Sequence, residues 1–270
     1  MYYNFNKVLF SHIMEESMTN TGKIDEILKK DAEKQSDAPI HSFLMIGQSN
    51  MAGRGEFEDV EPILNRNCLM LRMGRWITMR EPINTDRAVL GVELHSGISL
   101  AASFADELSK HFDMRVGLIP SADGGTSIDE WMPGTVLYDH AVFMAKLAMR
   151  RSQFAGIIWH QGENDCCSEE ATVSHPEKFI EMMTSLRREL GAESLPLIIG
   201  EIAEYRTDKG DRPARINAQY REIVKKLPCS ALVSAKGLSM KADGVHFDSV
   251  SLREFGKRYF EEYRKLIEVS

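Results

Sequence analysis

The sequence predicts an α/β fold, a parallel sheet covered by helices on both faces, and three observations predict it. Short apolar runs alternate with helix-period segments from about residue 40 onward. The runs are continuous rather than alternating, which is what strands buried on both faces require. The 270 residues, 43% apolar and 27% charged, are enough for one large domain with a sizeable core.

Residues 1–40 differ in character. "TGKIDEILKKDAEKQSDA" is highly charged with few apolar positions, so 1–40 is read as an N-terminal charged extension and 41–270 as the domain. The candidate strands are "SFLMIG", "RVGLIPS", "AGIIWHQ", "LPLIIGEI" and "SALVSA". Helical stripes lie between them: Ile98, Ala101, Ala105, Leu108 and Phe112; Val142, Ala145 and Met149; Phe179, Met182, Leu186 and Leu190; Ile216, Tyr220, Ile223 and Leu227. Leu252, Phe255, Tyr259, Tyr263 and Leu266 form a last long amphipathic helix. Residues 53–95 fit neither period and read as a long irregular excursion, with room for short strands around "CLMLRM" and "RWITM".

The net charge of -7 and the absence of a basic patch argue against nucleic acid or an anionic membrane as partner. No run reaches transmembrane length. The first residues lack the pattern of a secretory signal, so a cytoplasmic protein is expected. Cys68, Cys166, Cys167 and Cys229 show no metal-ligand spacing and are too few for a disulfide scaffold, which points to reduced thiols.

In a parallel sheet, ligands bind beyond the carboxyl ends of the strands. The polar segments that follow the candidate strands are "GQSNMAGRG", "ADGGTSIDEW", "HQGENDC", "EIAEYR" and "KADGVHFDS". Ser49 follows a buried strand and sits at a strand-to-helix turn, the position of a nucleophile. A serine hydroxyl needs an adjacent base oriented by a third group, and Asp243 with His246 three positions on supplies that pair. An oxyanion hole needs unobstructed N–H groups. Gly124 and Gly125 are candidates, with the Gln161 side-chain amide and the Ser49 backbone N–H.

With these blocks in this order, the sequence resembles the SGNH (GDSL-like) hydrolases, and within them the sialate O-acetylesterase and acetylxylan-esterase-related group, carbohydrate esterase family six. The match rests on "GQSNMAGRG", "GGTSIDEW", "WHQGEND" and "DGVHF" and spans about residues 41 to 265. The resemblance implies a three-layer α/β/α sandwich with a five-stranded parallel sheet, flavodoxin-like in kind. It implies hydrolysis of acetyl esters on an acetylated saccharide, without metal or organic cofactor. It assigns Ser49 as nucleophile, Asp243 and His246 as acid and base, and Ser49, Gly125 and Gln161 as the oxyanion hole, with Gly124 as alternate. Gln161 stands where the wider superfamily's third block carries an asparagine.

Around this set, Gln48 and Asn50 are expected to support the turn or meet substrate. Glu163 is expected first to support a loop, with contact to substrate hydroxyls or service as an acid as alternatives. His160 and Glu163 at a spacing of three lack the second histidine pair a metal site would need. Trp131 either stacks on a sugar ring or anchors its loop. Two rival readings are a glycosidase using Glu163 and Asp243, which leaves Ser49 unexplained, and a sugar-binding protein of the same fold without turnover.

Overall fold

In the computed structural model the described residues are 38–84, 96–204 and 207–268. The charged extension up to residue 37 and the end of the excursion, 85–95, lie outside them.

All five expected strands are present, but the sheet has seven. They are β1 (Ile40–Gly47), β2 (Cys68–Arg72), β3 (Arg75–Thr78), β4 (Arg115–Pro120), β5 (Gln153–His160), β6 (Leu197–Gly200) and β7 (Ser230–Val233). Their order is β3-β2-β4-β1-β5-β6-β7. β3 runs antiparallel to β2 and every other pairing is parallel, so the sheet is mixed. The two additional strands come from the excursion. β2 pairs with β4 from Cys68 opposite Val116 to Met70 opposite Leu118, and its first four residues are buried. β3 then closes the edge as a short, half-exposed hairpin arm. Arms of five and four residues inside a charged segment are too short for periodicity to resolve.

The helices are α1 (Ser49–Ala52), α2 (Leu100–Phe112), α3 (Val136–Met149), α4 (Glu169–Leu190), α5 (Arg212–Lys226) and α6 (Ser249–Glu268). α2 and α6 share one core with Phe43, Met45 and Leu118 of the sheet. α3, α4 and α5 share the other with Leu44, Ile46 and Trp159. Adjacent strand residues thus feed opposite cores, which is why the runs contain no polar alternation. Met149, counted in the stripe of α3, is exposed at the helix end.

Local chemistry sets the helix ends. Ser99 caps α2 by accepting from the Ala101 N–H, and Ser168 caps α4 by accepting from the Ala171 N–H. Pro176 inside α4 has no N–H for the Thr172 carbonyl, and Gln219 Nε2 on α5 donates to that carbonyl instead, at 2.8 Å. α6 crosses α2 so closely that a Cβ on Gly256 would collide with the Leu100 carbonyl oxygen.

After β1 the chain builds β2, β3 and β4 on one side, then crosses to build β5, β6 and β7 on the other. Strand order therefore reverses about β1. The loops beyond β1, β4 and β5 meet at that point.

Candidate active site

The apolar run of β1 ends at Gly47, and Ser49 is the first residue of α1. The turn is pinned by the Gln48 N–H donating to His160 O at 2.8 Å, while the Met51 and Ala52 N–H groups both close on Gln48 O. The Ser49 N–H, one of the orphan donors of a helix start, has no partner among the described residues.

Ser49 Oγ lies 2.9 Å from His246 Nε2, and His246 Nδ1 lies 2.8 Å from Asp243 Oδ2. The loop after β7 delivers this pair. Asp243 Oδ1 accepts from the Val245 and His246 N–H groups, each at 2.9 Å, so the aspartate shapes the turn that presents the imidazole. Burial pushes the Asp243 carboxyl up, but hydrogen bonds from the His246 N–H, the His246 ring and the Val245 N–H outweigh it and hold the group at about 2. An ionised carboxylate only accepts, so the ring proton sits on Nδ1 and Nε2 is left to accept from the Ser49 hydroxyl.

The structure thus brings Ser49, Asp243 and His246 into one chain. The flanks of His246 are held from α1. Asn50 Oδ1 accepts from the Phe247 N–H at 3.1 Å, and Asn50 Nδ2 donates to Val245 O at 3.4 Å and to Glu163 Oε1 at 2.6 Å. Glu163 is 2% exposed. Its carboxylate is buried, and 3.5 Å separates Oε1 from Nδ1 of His160, whose imidazole burial pushes down toward the neutral form. Gln48 Oε1 accepts from the Gly162 and Asn164 N–H groups, each at 3.4 Å, and so ties the β1 turn to the loop after β5.

The glycine loop after β4 stands opposite. Gly125 is exposed and takes φ +75°, a left-handed conformation that suits glycine, and its N–H has no partner among the described residues. Gly124 behind it is buried.

The expectation for Gln161 does not match the geometry. Gln161 is fully buried, and its side-chain amide donates to Thr126 O at 3.1 Å and to the Asp165 carboxylate. With both protons engaged, it braces the glycine loop rather than offering a donor beside Ser49. Asn164, three residues on, has its Nδ2 3.1 Å from Gly125 O and is partly exposed. The sequence signal for it was a second amide in the same "HQGEND" block. Choosing between the two amides required the path of the loop.

Trp131 is 1% exposed, donates Nε1–H to Thr126 Oγ1 at 3.0 Å and packs edge-on against Trp159. It anchors its loop and has no face to offer a sugar. Asp165, 1% exposed, accepts from the Ile128 N–H as well as from Gln161, and burial pushes its carboxyl up to about 6 against those hydrogen bonds. Among the described residues no group of three or more His, Cys, Asp or Glu side chains could hold a metal ion. No described helix is long and apolar enough to cross a membrane.

The chain is similar to known proteins over nearly this whole region. It is 29% identical over 254 residues to the probable carbohydrate esterase At4g34215 of Arabidopsis thaliana, covering 86% of this chain and 93% of that protein. The crystal structure of that Arabidopsis protein superposes with a TM-score of 0.74 at 25% identity, covering 84% and 98% of the two chains. NanS shares the fold with a TM-score of 0.71 at 17% identity, covering 88% of this chain and 100% of NanS. So does XAC1771, a carbohydrate acetylesterase from Xanthomonas citri, with a TM-score of 0.62 at 17% identity, covering 85% of this chain and 57% of that one. The family model described as carbohydrate esterase, sialic acid-specific acetylesterase matches residues 39–265, every element of the sheet and the Ser49–His246–Asp243 chain included, and the protein belongs to that family.

Proposed function

We propose that this protein is a serine esterase that removes O-acetyl groups from a carbohydrate, of the sialic acid or xylo-oligosaccharide type, through an acyl-enzyme intermediate. The carrying observation is the continuous hydrogen-bonded chain from Ser49 Oγ through His246 to Asp243, 2.9 and 2.8 Å, with the unpaired Ser49 N–H at its head. Family membership supports the acetyl ester and the carbohydrate.

In the first half-reaction His246 Nε2 takes the hydroxyl proton as Ser49 Oγ attacks the acetyl carbonyl. Asp243, held ionised, stabilises the imidazolium that forms. The negative charge on the carbonyl oxygen falls to the Ser49 and Gly125 N–H groups and to the Asn164 side-chain amide, which takes the part expected of Gln161. The sugar oxygen then leaves with the proton from His246. In the second half-reaction His246 draws a proton from water as it attacks the acetyl-serine carbonyl, then returns that proton to Ser49 Oγ as the acyl–oxygen bond breaks and acetate leaves.

The carboxylate-pair alternative finds no support, because Glu163 is buried against Asn50 and Asp243 is committed to His246. None of the four cysteines forms a disulfide, which supports a reducing, cytoplasmic setting and small saccharide substrates.

The test is acetate release from 4-nitrophenyl acetate by the purified protein and by Ser49→Ala, with an acetylated xylo-oligosaccharide and an acetylated sialic acid as competitors. Loss of activity by at least about 10³-fold in Ser49→Ala is expected. Equal activity in both proteins, or none in either, would remove the serine esterase reading.

A further inference from the structure

Beyond the triad, the same edge of the sheet carries a second feature. A cavity of about 510 Å³ opens between the ends of β2 and β4 and the first turns of α3. That volume lies within the range of small-molecule sites and far exceeds what an acetyl group fills. Neither Ser49 nor either glycine of the oxyanion loop lines it.

Its polar wall is built by the backbone. The Ser121 and Asp123 N–H groups continue the β4 pairing by donating to Met45 O at 3.0 Å and Gly47 O at 2.9 Å. Residues two apart in an extended run point to one face, so both side chains line the cavity on the side of α3. Asn84 grips both backbone groups of the intervening Ala122, at 2.9 and 3.0 Å, and holds that run in place.

Two features mark a ligand. Ser121 is a buried residue of the cavity lining, and its Oγ has no hydrogen-bond partner among the described residues, an uncompensated cost that a bound hydroxyl would relieve once the serine turns about χ1 toward it. And the lining is two-sided, with Ser121 and His140 as polar groups against the apolar side chains of Ile83 and Met144. A pyranose has the matching surface, hydroxyls around its edge and C–H groups on its face. Burial pushes His140 down toward its neutral form, which leaves Arg72 at the exposed end as the one cation among the described lining residues, thin provision for a phosphate.

We infer that this cavity is a subsite for a neutral sugar ring adjoining the acetylated one, so that the enzyme prefers acetylated oligosaccharides to acetylated monosaccharides. The inference rests on the esterase reading for its reaction but not for its binding. Asp123 bonds to Gly47, two residues before Ser49, which sets the subsite beside the scissile ester without overlapping it.

The experiment compares kcat/KM for monoacetylated methyl xyloside and monoacetylated xylobiose in the wild type, Ser121→Leu and His140→Ala. The readout is the ratio of the two substrates within each protein, in which a general loss of folding or chemistry cancels. The two-ring substrate should lead by about tenfold in the wild type, the worth of one or two hydrogen bonds, and the ratio should fall towards one in both variants. A wild-type ratio near one, or a ratio that neither variant changes, overturns the subsite. If Ser49→Ala shows the esterase reading itself to be wrong, calorimetric titration with unacetylated xylobiose still decides the cavity. Binding that Ser121→Leu weakens supports the subsite, and no binding or equal binding overturns it.

Discussion

Asn50 stands one residue from the nucleophile, yet its three hydrogen bonds run to both flanks of His246 and to Glu163. The distance between Ser49 and His246 spans 197 positions of sequence, and Asn50 is a side chain that ties the two segments together. A catalytic pair displaced by about an ångström loses on the order of 10² in rate. Asn50→Ala should therefore lower kcat on 4-nitrophenyl acetate by about a hundredfold while KM changes by less than about threefold, because no substrate contact is lost. Steady-state kinetics checks this, and a change confined to KM would make Asn50 a substrate contact instead.

At the scale of elements, α4 shows how a local fault is repaired from a neighbour. Pro176 leaves the Thr172 carbonyl without its helical donor, and Gln219 on α5 reaches across to supply one. Gln219→Leu should cost about 1 kcal/mol in urea unfolding, the price of a partly buried carbonyl left unpaired. In a Pro176→Ala background the helix regains its own N–H, and the same change should cost less than half as much. Additive costs would show that Gln219 acts through something other than this carbonyl.

At the scale of the molecule, two buried groups pull the acid stability in opposite directions. Burial pushes His175 from 6.5 down to about 3, so the stability tied to its neutral form is full above 6.5 and is lost as pH falls toward 3. Burial pushes Asp165 from 3.8 up to about 6, so its contribution is full below 3.8 and is lost as pH rises through 6. Between pH 4 and 6 each group has a slope of at most about 1.4 kcal/mol per pH unit, and the slopes oppose. Chemical unfolding across this range should be flatter in the wild type than in either variant. Asp165→Asn should lose stability as pH falls from 6 to 4, whereas His175→Phe should gain it. Parallel curves for the two variants would sink this account.

The alternation of strands and helices was legible because periodicity is a local property, and the continuous apolar runs of β1, β4, β5, β6 and β7 declared burial on both faces. The residue types placed at the strand ends were legible for the same reason: a strand followed by a polar turn can be read within ten residues. Three outcomes were decided only by tertiary structure. β2 and β3 joined the sheet because the β4 edge offered them a ladder, and a segment's own pattern does not record its partner. Gln161 turned inward to Asp165 and Thr126 while Asn164 stayed by Gly125, since two amides in one loop are told apart by its path. Trp131 went into the core because Thr126 was placed to accept its N–H, leaving an aromatic that composition alone makes available to a sugar with nothing exposed. Sequence by itself determined which chemical groups the edge of the sheet would hold. Which of them face one another was set by hydrogen bonds between segments tens to hundreds of residues apart, and those form only when the sheet has brought the loops together.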